Sequence, residues 1–72
     1  MHQLFSLRQV EVFKAVIEHG TATRAAEALN ISQPAISKLL FKFEQETKLT
    51  LFERTSGRLI PTQQGMRLYE EI

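Results

Sequence analysis

The chain is 72 residues long, 43% apolar and 24% charged, with a formal net charge of +1. That length allows one small domain, which buries roughly 60% of its unfolded surface and is marginally stable alone, and the near-neutral balance by itself announces no nucleic-acid partner. The absence of cysteine excludes disulfides and thiol chemistry and accords with a cytoplasmic location, while no stretch has the length or apolarity of a membrane span or a signal peptide.

The first predicted element is a helix from about Ser6 to His19. Leu7, Val10, Phe13, Val16 and Ile17 recur at helical spacing, with Arg8, Glu11, Lys14 and Glu18 on the other face. Ser6 is suited to cap its start and Gly20 to stop it. Phe13 shares a stripe with apolar neighbours and is assigned to the core rather than to binding. His2 and His19 stand at no metal-ligand spacing and beside no acidic cluster, so they read as surface histidines.

A second helix follows G-T-A-T-R at 20 to 24, capped by Thr21 or Thr23. The same hydroxyls, with Arg24 and the backbone N–H groups of that helix start, are candidate phosphate donors. Ala25, Ala26 and Leu29 form a narrow face of small residues that lets another helix approach closely. Asn30 tolerates the left-handed conformation and should end the helix, turning Ile31 back toward the core.

Ser32 then caps a third helix, with Pro34 in its first turn, where a missing N–H costs nothing. Ile36, Leu40 and Phe43, flanked by Leu39, face the core. At about 100° per residue Gln33, Pro34, Ser37, Lys38 and Phe41 cluster on the opposite side, where glutamine and serine can serve as base-edge or phosphate donors. From Thr21 to Phe43 the cations Arg24, Lys38 and Lys42 face the single anion Glu27, whereas Glu44, Glu46, Glu70 and Glu71 lie outside, so a locally basic face is expected. Helix, short turn and a helix with polar donors on its first turns is the helix-turn-helix pattern of DNA-binding proteins. A generic helical hairpin produces the same pattern.

Beyond Phe43 the helix continues to about Lys48, after which L-T-L-F-E-R alternates, T-S-G makes a turn and R-L-I is again extended. A small hairpin fits, tied to the helices by Leu49, Leu51, Phe52 and Leu59 or Ile60. A two-stranded ribbon is marginal in water, so this one must lean on the helices as a wing. Arg54 and Arg58 are its charges. Arg58, beside Gly57 at the tip, is the better placed to reach a minor groove or a phosphate, a solvated arginine being the alternative. Pro61 ends the wing and Thr62 can cap a last helix, whose Met66, Leu68, Tyr69 and Ile72 need a partner. Because that helix has no stop signal, the chain is expected to be a portion of a longer protein, with the helix starting near Thr62 pairing two copies into a homodimer.

The run S-Q-P-A-I-S-K at 32 to 38, with A-A-E-A-L before it and L-x-L-F-E-R after it, resembles the N-terminal DNA-binding domain of LysR-type transcriptional regulators. The similarity extends from L-R-Q-V-E-V-F-K-A-V at 7 to 16 through P-T-Q-Q-G at 61 to 65. The combination of F-E at 43 and 44, L-F-E-R at 51 to 54 and G-R-L-I-P-T at 57 to 62 looks closest to members governing amino-acid or opine metabolism. Phe41 departs from the family's habit of a basic or polar residue; it can pack on a sugar, contact a thymine methyl or cover neighbouring apolar atoms, the last being favoured.

The resemblance implies a mainly α fold with a small β-hairpin wing, a winged helix-turn-helix followed by the start of a linker and dimerisation helix. The DNA-binding domain is expected over residues 4–62, with its helix-turn-helix motif at 22–41 and the truncated linker helix at 63–72. It implies double-stranded DNA as partner, contacted by Thr21, Thr23, Arg24, Ser32, Gln33, Pro34, Ser37, Lys38, Lys42, Arg54 and Arg58, and a dimer, or a tetramer in the full protein, reading an inverted repeat. No cofactor is expected in this stretch, a small-molecule effector belonging only to a further C-terminal domain. No nucleophile with a nearby base, no paired carboxylates and no glycine-rich phosphate loop supports an enzyme. The rival reading is a helical protein-interaction or dimerisation module that uses the last helix and Phe41.

Overall fold

The computed structural model describes residues 6–56 and 58–72; His2, a domain start at Leu4 and Gly57 at the wing tip lie outside the described residues. In chain order come α1 (Leu7–His19), α2 (Ala22–Leu29), α3 (Gln33–Thr47), β1 (Phe52–Thr55), β2 (Arg58–Pro61) and α4 (Gln63–Glu71). The three first helices pack on one another, and the two strands form an antiparallel hairpin beside them. This is a winged helix-turn-helix.

Local signals set the helix ends. Ser6 caps α1 by accepting the Gln9 N–H at 3.2 Å, and its own N–H donates to Gln9 Oε1 at 2.7 Å, a reciprocal capping box. Gly20 closes α1 at φ 87°, where a side chain would be strained. Thr21, not Thr23, caps α2. Asn30 ends α2 at φ 58° and ψ 45°, its N–H bonding Glu27 O while the Ile31 N–H reaches Ala26 O, which is the Schellman arrangement. Those two bonds fix the sharp turn between α2 and α3. Ser32 and Thr62 cap α3 and α4.

The core stripe of α1 is rotated from the sequence expectation. Phe13 and Val16 are buried as expected, but Val12 and Ala15 join them, Val10 and Ile17 are only partly buried, and Leu7 is 75% exposed. Apolar residues at 7, 10, 12, 13, 16 and 17 cover more than half the helix circumference, so neighbours must decide which arc is buried. They are Ala25 and Ala26 of α2 and Ile36, Leu40 and Phe43 of α3, all buried. Phe13 is the hub, its ring centroid 5.5 Å from Phe43 and 5.8 Å from Phe52. Tilted and edge-on aromatic pairs of this kind add about 0.5–1.5 kcal/mol each beyond the area they bury.

Through Phe52 and the fully buried Leu51 the same core anchors the wing. Register pairs Phe52 with Pro61, Glu53 with Ile60, Arg54 with Leu59 and Thr55 with Arg58. Side chains alternate across a strand, so Phe52, Arg54 and Leu59 share the face turned to the helices, and of the two expected anchors Leu59 is half-buried while Ile60 is 46% exposed.

α4 corrects one further expectation. Its Leu68 and Tyr69 were expected to lack internal partners, yet both pack partly against this chain's own core, leaving Met66 and Ile72 as its exposed apolar residues. Gly65 permits the close approach, because a Cβ there would run into the Leu51 carbonyl oxygen.

Candidate nucleic-acid interface

Three elements converge on one side of the molecule: the start of α2, the start of α3 and the inner face of the wing. Between them run two adjoining depressions. One is lined by Thr21, Thr23, Arg24, Gln33 and Arg58, the other by Gln33, Ser37, Arg54 and Arg58, with Ala22 and Leu59 as a shared apolar floor. Two helix N-termini thus end at a cleft with three guanidinium groups, and none of the residues that line it carries a carboxylate.

Each feature favours a bound anion. Helix starts leave backbone N–H groups without intrahelical partners and carry the positive end of the helix dipole. The capping hydroxyls use their oxygens as acceptors, Thr21 from the Arg24 N–H at 3.1 Å and Ser32 from the Ala35 N–H at 3.2 Å. Their hydroxyl protons remain available to an incoming oxygen. The first turns of α2 and α3 contain no acidic residue, and α2 instead carries Arg24 there. A cation at a helix N-terminus opposes the dipole and weakens the helix. An anion held at the helix start would offset that cost. Among the described residues Arg24, Arg54 and Arg58 form no salt bridge, the pair recorded being Arg8 with Glu11.

The cleft gathers seven of the expected contact residues: Thr21, Thr23, Arg24, Gln33, Ser37, Arg54 and Arg58. Arg54 enters it because strand alternation puts it on the same face as buried Phe52, a relation that period-two counting from Phe52 reveals in the sequence. Ser32 and Pro34 are exposed at the start of α3, outside the cleft lining. Lys38 and Lys42 are exposed as well, but about 140° and 180° around the helix from Gln33. They extend a basic surface along the outer side of α3. Phe41 is 55% exposed and borders a separate depression with Leu49, Phe52 and Arg54.

Sequence reasoning missed the carboxylate that ties this arrangement together. Glu44 Oε2 accepts the backbone N–H groups of Leu51 at 2.8 Å and Phe52 at 3.1 Å, joining α3 to the root of the wing. Among the described residues no helix is long and apolar enough to cross a membrane.

The family profile described as "Bacterial regulatory helix-turn-helix protein, lysR family" matches residues 7–66. The octopine catabolism/uptake operon regulatory protein OccR of Rhizobium meliloti is 52% identical over 67 residues, 93% of this chain and 23% of that protein. The transcriptional activator protein LysR of Escherichia coli K12 is 51% identical over 67 residues, again 93% of this chain and 22% of that one. The chain therefore spans less than a quarter of the length of these relatives. Among solved structures, the CbnR DNA-binding domain in complex with DNA superposes with a TM-score of 0.88 at 31% identity, covering 93% of this chain and 77% of that one. The BenM DNA-binding domain on its benA site 1 DNA gives 0.86 at 34% identity, covering 93% and 75%.

Proposed function

The chain belongs to the lysR family of bacterial regulatory helix-turn-helix proteins, and from that membership we propose that it is the sequence-specific DNA-binding part of a transcription regulator. The observation that carries the reading is the cleft in which Gln33 and Ser37 lie among three arginines and two helix N-termini. Two likenesses in fold to domains solved on DNA support it.

The first turns of α3 enter the major groove, where Gln33 reads adenine bidentately and Ser37 and Lys38 reach base edges or phosphate. Thr21, Thr23, Arg24, Ser32 and Pro34 lie along the sugar-phosphate backbone, Lys42 adds charge beside it, and Arg54 and Arg58 take the adjoining backbone or minor groove. The protein acts in the cytoplasm, as a homodimer paired through α4 with Met66 and Ile72 in the contact, reading two half-sites about one helical turn apart. The effector, and a tetrameric state, belong to a further C-terminal domain, and no cofactor serves the DNA-binding part.

Binding to a random-sequence duplex across a salt series tests the reading. A DNA reader loses affinity steeply as salt rises; affinity that is negligible at low salt would return the chain to the protein-interaction alternative. Sedimentation of the wild type and of Met66→Glu, which changes an exposed residue of α4, tests the pairing: association that falls in the variant is expected, and a strictly monomeric wild type would exclude it.

A further inference from the structure

Residues 50–52 connect the recognition helix to the wing, and side chains from two helices hold their backbone. From α3, Glu44 Oε2 accepts the Leu51 and Phe52 N–H groups at 2.8 and 3.1 Å. From the α4 side, Gln64 Oε1 accepts the Thr50 N–H at 3.1 Å, the Thr62 N–H donates to Leu51 O at 2.9 Å, and the Thr62 hydroxyl donates to Thr50 O. The turn that carries Glu44 is itself fixed, since its carbonyl accepts from the Lys48 N–H at 2.8 Å where Lys48 caps α3 in the left-handed conformation.

A carboxylate that takes two successive backbone N–H groups makes charge-assisted bonds and sets both distance and direction. Here it joins the helix bearing Gln33 and Ser37 to the first residue of the strand bearing Arg54. At about 3.3 Å per residue, Arg54 sits only some 7 Å beyond Phe52, so a swing at the root displaces the arginine head relative to the cleft. Burial of Leu51 and Phe52 holds the strand root against the core, and of the hydrogen bonds at that root those of Glu44 are the ones that reach back to α3.

We infer that Glu44 is the positioning residue that aims the wing arginines at the DNA gripped by α3, an inference that rests on the DNA-binding reading above. Glu44 touches no DNA; it acts through Arg54 and Arg58. Its negative charge by itself opposes DNA binding, so simple loss of that charge should strengthen binding, whereas loss of positioning should weaken it.

The test compares the salt dependence of binding to a random-sequence duplex for the intact wild-type protein, Glu44→Ala, Glu44→Gln, and Arg54→Ala/Arg58→Ala with and without Glu44→Ala. Each phosphate contact contributes about 0.9 to the slope. Glu44→Ala is expected to lose about one to two units, matching the double arginine variant, and to change nothing further when combined with it. Glu44→Gln, whose amide oxygen still accepts both N–H groups, is expected to restore the slope. If Glu44→Ala does not fold, Glu44→Asp replaces it, with an intermediate slope expected from its shorter reach. A wild-type slope in a destabilised Glu44→Ala or Glu44→Asp protein would reduce Glu44 to a structural support and overturn the inference alone. Absence of salt-dependent binding by the wild type would overturn the DNA-binding reading as well.

Discussion

The Tyr69 hydroxyl on α4 donates a 2.8 Å hydrogen bond to the Glu18 carboxylate near the end of α1. It joins the last helix to the first.

That bond makes the phenol harder to ionise. Tyr69 is raised above its ordinary value of 10.0, first by the hydrogen bond to Glu18, then by loss of solvent and by the carboxylate's charge. A folded-state value above the unfolded one means the bond contributes fully below about pH 10 and is lost as pH rises through the raised value. Tyr69 is the only tyrosine and there is no tryptophan, so phenolate absorbance reports this group alone. The titration midpoint should lie above 10.0 and return toward it in Glu18→Ala. Identical midpoints in the two proteins would mean the contact does not persist in solution.

Gln33 stands at the first position of α3, exposed and at the centre of the cleft. Gln33→Ala should weaken binding to a selected site by roughly 1–3 kcal/mol and leave random duplex almost untouched. Equal losses on both would remove it from base reading.

Arg58 should contribute affinity rather than sequence choice. Arg58→Ala is expected to weaken binding alike on every sequence and to lower the salt slope by about one unit. A slope that does not move would make it an ordinary solvated arginine.

Phe41 lies one turn beyond Ser37 and is more exposed than buried. Phe41→Arg adds a cation to the outer side of α3 and should raise affinity for random duplex, with stability unchanged to within about 0.5 kcal/mol. Unfolding of the variant would falsify the surface assignment.

Gly65 faces a backbone carbonyl that cannot rotate away. Gly65→Ala improves helix propensity by about 1 kcal/mol, yet the collision with Leu51 forces α4 to shift, and overpacking of this sort costs about 1–3 kcal/mol. A lower urea midpoint is expected; a higher one would show that α4 does not rest on Leu51.

What could be read from the sequence was local. Ser6, Asn30, Ser32 and Thr62 act within a few residues of themselves, so their caps are visible from residue type and spacing, and with them the helix-turn-helix. The buried arc of α1 was not visible, because Leu7 and Val12 are equally apolar and only the packing of α2 and α3 separates the exposed from the buried one. Of the cleft, Gln33 and Ser37 followed from helical periodicity, whereas Arg54 was legible only as a charge of the wing, its place on the face of buried Phe52 coming from the strand register. Glu44 followed from neither, since its partners are backbone N–H groups seven and eight residues away, across a change from helix to strand. No periodicity marks such a bond.

Pro61, the last residue of β2 and the partner of Phe52, has a consequence for solubility. A two-stranded ribbon has two open edges, and open edges recruit strands from other copies in aggregation. Pro61 offers no N–H to a newcomer, both strands are only four residues long, and charged Glu53, Arg54 and Arg58 occupy them. The hairpin is therefore a poor template for intermolecular sheet growth, so the wing can stand out from the helices without recruiting strands from other copies.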